Sequence, residues 1–124
     1  MRGALAFLPA LLFASQCHAQ DVRTASGLLA ACTGHMTEQV ECMAYIAGIW
    51  DGIQYGMKSV GDSSRPPAEK NDFQTSGICV PGGVAIRQLR DVVVKHLEAH
   101  PERRDSDAAA LVGVALATAY PCRK

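Results

Sequence analysis

Apolar positions recur at three- and four-residue steps over four stretches of this chain, with polar turn residues between them. The longest stretch runs from about Glu38 to Met57 or Lys58, where Met43, Ile46, Ala47, Trp50, Ile53 and Met57 trace one stripe, the pattern of an amphipathic helix. Ahead of it, Thr24 to Cys32 reads as a short helix with Leu28, Leu29 and Cys32 on its apolar edge and Thr33-Gly34 as its stop. Thr37 is the expected N-cap of the long helix, followed by Glu38 and Glu41, whose carboxylates suit a helix N-terminus. A third helix is expected from about Val84 to His100, with Ile86, Leu89, Val92, Val93, His96 and Leu97 inward and Arg87, Arg90, Asp91, Lys95 and Glu98 toward water. Pro101 ends it. Asp105 or Ser106 then caps a fourth helix reaching Ala119, with Leu111, Val112, Ala115, Leu116 and Ala119 inward.

Between the second and third stretches, from Ser59 to Pro81, the periodicity disappears. Gly, Ser, Asp and three Pro replace it, which marks a long surface loop. Loops beyond about 15 residues in a compact domain are usually functional or disordered. This one gathers mixed charge around a single aromatic residue: it reads equally as a flexible connector held at its far end by Cys79 or as a binding loop, in which case Arg65, Glu69, Asp72 and Phe73 are the candidate partner-binding residues. The expected fold is all-α: a compact bundle of about four helices with one long loop between helices two and three.

Inside the long helix, Gly48, Gly52 and Gly56 fall four residues apart and therefore on one face. Each glycine costs a helix interior about 1 kcal/mol relative to alanine, so a compensating close contact is expected there. Ala109, Gly113 and Ala117 offer a matching small-residue stripe on the fourth helix. The ladder thus reads as internal helix packing or as a dimer seam. Asp51, between Trp50 and Gly52, is expected to be held by a neighbouring helix N-terminus or by loop amides, with surface exposure as the alternative.

Composition changes the picture at the N-terminus. Arg2, the apolar run Ala4 to Ala14 and the small residue of Cys17-His18-Ala19 have the form of a signal peptide cleaved after Ala19. A lipoprotein anchored at Cys17 would want a small residue where Gln16 stands. Residues 20–124 then form a single domain with a modest core. Without Arg2, eleven Lys and Arg face twelve Asp and Glu, a balance that leaves no electrostatic footprint for nucleic acid. No apolar run is long enough to span a bilayer.

Of the five cysteines, Cys32, Cys42, Cys79 and Cys122 remain after cleavage, an even number in an exported chain and so two disulfides. Their spacing lacks any CxxC pair and does not resemble a zinc finger or ribbon. Three pairings are open to four cysteines. Antiparallel neighbouring helices favour Cys32 with Cys42 across the first hairpin and Cys79 with Cys122 across the second.

Candidate chemistry is sparse. His96 and His100 have the i, i+4 spacing of metal ligands, but no third ligand stands at a supporting offset. The plainer account puts His100 at a helix C-terminus, where partial positive charge is favourable, and His96 on the apolar edge. GxSxG and CxxCH are absent, and the paired cysteines leave no thiol nucleophile. No catalytic residue, metal or cofactor is expected.

In order along the chain stand Cys32, Cys-x-x-Tyr-Ile-x-Gly-x-x-Asp-Gly at Cys42 to Gly52, and Cys-x-Pro at Cys79 to Pro81. Gln-Leu-x-x-Val-Val at Gln88 to Val93, His-Pro-Glu at His100 to Glu102 and Tyr-Pro-Cys at Tyr120 to Cys122 follow. Taken together they resemble the Rap/Tai-type immunity proteins of bacterial type VI secretion, over nearly the whole of residues 20–124. The resemblance implies a periplasmic, all-helical protein, often a homodimer, that binds and blocks a secreted peptidoglycan amidase. One departure is Ala85, where relatives often carry Thr in a capping box with the residue at Gln88. A periplasmic stress chaperone or envelope structural protein with no effector partner is the alternative.

Overall fold

The computed structural model describes residues 21–60 and 77–122. The expected signal peptide and the four loop candidates Arg65, Glu69, Asp72 and Phe73 lie outside the described residues. Within them the chain forms α1 (Ala25–Thr33), α2 (Met36–Val60), α3 (Ile86–Ala99) and α4 (Ala108–Ala119), with a single 3-10 turn at Pro101–Arg103. No strand occurs among the described residues, only two isolated bridges, Thr24 with Asp107 and Ile78 with Pro121. The all-α expectation holds, and the loop falls between helices two and three.

Local chemistry sets the helix ends. The Thr24 hydroxyl caps α1 by accepting from the Gly27 amide at 3.1 Å. Gly27 is buried under the turn that precedes it, and a Cβ there would run into the Asp21 carbonyl oxygen. Two amides at the start of α1 are satisfied from the α4 side: Ala25 donates to the Ser106 carbonyl and Ser26 to that of Arg104, each at 3.0 Å. In return the Ala108 amide donates to the Arg23 carbonyl at 2.8 Å. The N-termini of α1 and α4 are thereby joined through their backbones, which resolves donors that helix starts leave unpaired.

Two expected caps are corrected. Thr37 lies inside α2, which starts at Met36, two residues ahead of the expected start, where the Glu38 carboxylate reaches back to accept the His35 amide at 2.7 Å. For α4 the cap is Asp107, which accepts from the Ala110 amide at 3.0 Å. Asp105 and Ser106 precede it because the 3-10 turn after Pro101 delays the helix. The departure at Ala85 has a local consequence: it is the N-cap of α3 and offers no side-chain bond.

The core is one cluster drawn from all four helices, with Leu28, Cys42, Ile46, Val93, Val112 and Leu116 fully buried. On α3 the inward stripe is the expected one, centred on Leu89, Val93 and Leu97. The buried line of α2 is rotated from the expected stripe: Cys42, Ile46 and Ile53 are buried, while Met43, Ala47 and Trp50 are only half-buried. Ala119, expected inward, is exposed. Arg90, expected in water, is half-buried and donates to the Gln39 side-chain oxygen at 3.1 Å while pairing with Asp91 at 2.7 Å. Gln39 in turn donates to the Gly34 carbonyl at 2.9 Å, so a polar chain ties α3 to the α1–α2 corner.

Both disulfides take the expected pairing. Cys32–Cys42 closes the α1–α2 hairpin with Cα atoms 5.1 Å apart, and Cys79–Cys122 joins the entry to α3 and the exit from α4 at 4.9 Å.

Candidate functional site

The outer face of α2 is the most unusual surface of the described chain. Met36, Val40, Ala44, Gly48 and Gly52 succeed one another at four-residue steps, so they form one ridge along the helix. All five are exposed, Met36 by 82% and Val40 by 56%, and none is charged. Tyr55, beside the glycine end, is 75% exposed. Glu41 and Asp51 flank the row and keep it in an acidic setting.

The glycines of this row do not pack against α4. Among the described residues, apart from the adjoining residues and the helix's own backbone, no atom lies within 4 Å of a Cβ built at Gly48 or Gly52. Gly113, from the expected matching stripe, is buried elsewhere in the core, with Ala109 and Ala117 half-buried. Instead an open groove of ≈ 420 Å³ separates the two helices, lined by Ile49, Gly52, Ile53 and Gly56 on one side and Ala109 and Ala110 on the other. Asp107 stands at its α4 end. Asp51 is likewise not held as expected: it is exposed and makes no hydrogen bond or ion pair among the described residues.

The chain leaves α2 at Val60 and is described again from Gly77, and that return point is clamped. Cys79 donates its amide to the Tyr120 carbonyl at 2.8 Å, and Cys122 donates to the Gly77 carbonyl at 2.6 Å. Ile78 is buried between them, and the Cys79–Cys122 bridge makes the clamp covalent.

A second groove, of ≈ 330 Å³, runs between α3 and α4 and is lined by His96 and His100 together with Val92, Lys95, Ala115 and Thr118. The two imidazoles lie with ring centroids 4.2 Å apart at an angle of 30°. Partial burial holds the His96 pKa below its ordinary value, with His100 and Arg103 acting in the same sense and Glu102 opposing them. A depressed folded-state pKa means that the unfolded chain binds the proton more readily, so acid favours unfolding. The stability carried by neutral His96 is fully present above about pH 6.5, the ordinary histidine value, and is lost as pH falls below it. Thermal melts between pH 7.5 and 5.5 should therefore show a falling midpoint, and His96→Gln should flatten that slope. Equal slopes in the two proteins would show that His96 is not its source.

Among the described residues no three His, Cys, Asp or Glu side chains converge as a metal site, and no helix is long and apolar enough to cross a membrane. Of the residues singled out in the sequence, the structure joins the four cysteines in pairs and sets Gly48, Asp51 and Gly52 on the exposed face of α2. Met36 and Val40 were missed. Their signal was present in the four-residue step that carries the glycine ladder back through Ala44.

In comparison with known proteins, the family model of the Rap1a immunity proteins matches residues 24–122. No curated protein and no solved structure matches the chain.

Proposed function

The chain belongs to the Rap1a immunity protein family and is an immunity-type protein directed against a secreted effector; from that premise we propose that the effector is a peptidoglycan amidase, met in the periplasm. Export through residues 1–19 with cleavage after Ala19 is part of this reading. So is inhibition by covering the effector's cleft, with no chemistry supplied by this chain.

The observation that carries the proposal is the clamp at 77–79 and 120–122, where two backbone hydrogen bonds and a disulfide fix one end of the 61–76 segment. A segment anchored in this way loses less conformational freedom when it enters a cleft. Arg65, Glu69, Asp72 and Phe73 are the residues proposed to contact the effector, combining both signs of charge with one aromatic anchor. We further propose that two copies associate through the α2 row, where Met36 and Val40 project at one end and Gly48 and Gly52 leave space at the other.

Directing candidate amidases to the periplasm of a test strain, with and without this protein, tests the main claim. Lysis should be prevented by the intact chain and restored by deletion of 62–74, while the far-UV helical spectrum of that deletion stays unchanged. Protection by the deleted form would remove the segment as the plug. Failure of the intact chain to protect against any amidase would remove the amidase as the target.

A further inference from the structure

The two disulfides stand in opposite surroundings. Cys32 and Cys42 are exposed by only 4% and 0% and belong to the hydrophobic core cluster. Cys79 is exposed, Cys122 is half-buried, and neither belongs to that cluster. The chain around Cys79 is open as well: Gly77, Pro81, Gly82 and Gly83 are exposed, and no charged residue occurs from Gly77 to Ala85. Its own segment therefore sets little bulk and no like charge against an incoming thiolate.

Disulfide exchange needs a thiolate to reach one of the two sulfurs, so access governs its rate beside thiolate content. A bridge in the core is reached only after local opening. Opening at Cys32–Cys42 draws apart α1 and α2, whose Leu28 and Ile46 are fully buried. Cys79 meets solvent in the folded protein. After its bridge is broken, the Cys79 amide still has the Tyr120 carbonyl at 2.8 Å, the Cys122 amide has that of Gly77, and Ile78 stays in the core. These contacts keep the two thiols near each other, so the bridge can re-form.

We propose that Cys79–Cys122 is an exchangeable bridge, the substrate of a dithiol–disulfide oxidoreductase, while Cys32–Cys42 is a permanent structural one. One thiolate of the dithiol attacks Cys79 Sγ; a mixed disulfide forms as the Cys79–Cys122 bond breaks and Cys122 leaves as a thiolate. The second thiolate of the dithiol then attacks its own first sulfur and expels Cys79. The two released cysteines take up the two protons that the dithiol gave up, two electrons pass to the bridge, and the dithiol ends as a disulfide. Reduction leaves the return of the chain at Gly77 held by two backbone hydrogen bonds and Ile78 instead of a covalent link. On the amidase reading given above, on which this consequence alone rests, the reduced form inhibits less.

Dithiothreitol added to the oxidised, untagged protein at about pH 8, without denaturant, is the probe. Timed samples are alkylated with N-ethylmaleimide and mapped by peptide mass. Cys79 and Cys122 should become modified at least about a hundredfold faster than Cys32 and Cys42, with the far-UV helical spectrum kept through the first phase. Sub-denaturing guanidinium should speed only the second phase, because only that one exposes surface before reaction. An oxidoreductase stripped of its resolving cysteine should be trapped on Cys79. Modification of all four cysteines together, earlier modification of Cys32 and Cys42, equal acceleration of both phases or an adduct on Cys122 would each overturn the proposal. Protein sampled between the phases should inhibit an amidase at least about tenfold less well than oxidised protein, and equal inhibition would overturn that consequence. Oxidised protein that inhibits no amidase would strike the amidase reading and leave the order of reduction standing.

Discussion

Replacing Cys79 and Cys122 together by serine should lower the unfolding free energy by about 4 kcal/mol, on the chain-entropy account of a closed loop of this length. The two cysteines are 43 residues apart in sequence, and everything between them, from Val80 through α3 and α4, gains freedom in the unfolded state when the bridge is removed. Cys32–Cys42 closes only 10 residues, and its removal should cost about 3 kcal/mol. Domains of this size are stable by about 5–15 kcal/mol in total, so either loss is a large fraction and both together should leave the chain largely unfolded. Urea titration of the two double-serine variants measures the difference directly, and the longer bridge should show the lower midpoint. There is also a local consequence. The Cys79–Cys122 bridge holds Ile78 in the core beside the backbone bonds to Tyr120 and Gly77, so its loss releases the anchored end of 61–76. If that segment is the plug, protection from lysis should fall in this variant well below its unfolding midpoint, and should survive in the Cys32/Cys42 variant at the same fraction folded. A result in which the shorter bridge proved the more stabilising would place the dominant effect in native packing around the first hairpin.

The helices were legible because their pattern is strong where the core is shared. On α3 the inward residues Leu89, Val93 and Leu97 stand out against charged neighbours, and periodicity alone identifies them. On α2 it does not, because small residues fill positions that periodicity cannot assign. A glycine row has the same appearance in sequence whether a helix fills it or nothing does, and the space beside Gly48 and Gly52 proved open. Asp51 was misplaced for a related reason: Trp50 implied burial on both sides, yet Trp50 is half-buried and Asp51 faces outward. The caps failed through competition between neighbours. Asp105, Ser106 and Asp107 are all good N-caps, and only the 3-10 turn after Pro101 selects the last of them. The pairing of the cysteines was readable because antiparallel hairpins leave few geometric choices. The histidine pair was visible as spacing, but its ring contact and the Nδ1 bond of His100 are properties of rotamers that no sequence pattern specifies.

Alanine at both Gly48 and Gly52 should raise the stability of a single copy and weaken the association of two. The first half follows from propensity: each substitution removes a helix-interior glycine and gains up to about 1 kcal/mol, and the added methyl groups meet no described atom within 4 Å beyond the adjoining residues and the helix's own backbone. The second half rests on the proposed seam. If two α2 helices cross antiparallel at Ala44, then Val40 of one copy lies over Gly48 of the other, and Met36 over Gly52, because these pairs are equidistant from residue 44 along the ridge. Each exposed apolar side chain, Met36 at 82% and Val40 at 56%, then fills the space that the opposing glycine leaves, an isologous contact of the kind two-fold dimers use. Close backbone approach is what glycine permits there, and a Cβ on each copy pushes the helices apart. Thermal melting at low protein concentration reads the first effect, and sedentation-free measures such as light scattering across a dilution series read the second. The opposite signs make the pair of measurements diagnostic, since ordinary damage to the fold would lower both. Alanine variants that gain stability and associate as tightly as the parent would show that the α2 row is not the seam. Alanine variants that lose stability as single copies would instead mean that the glycines meet contacts within the same chain.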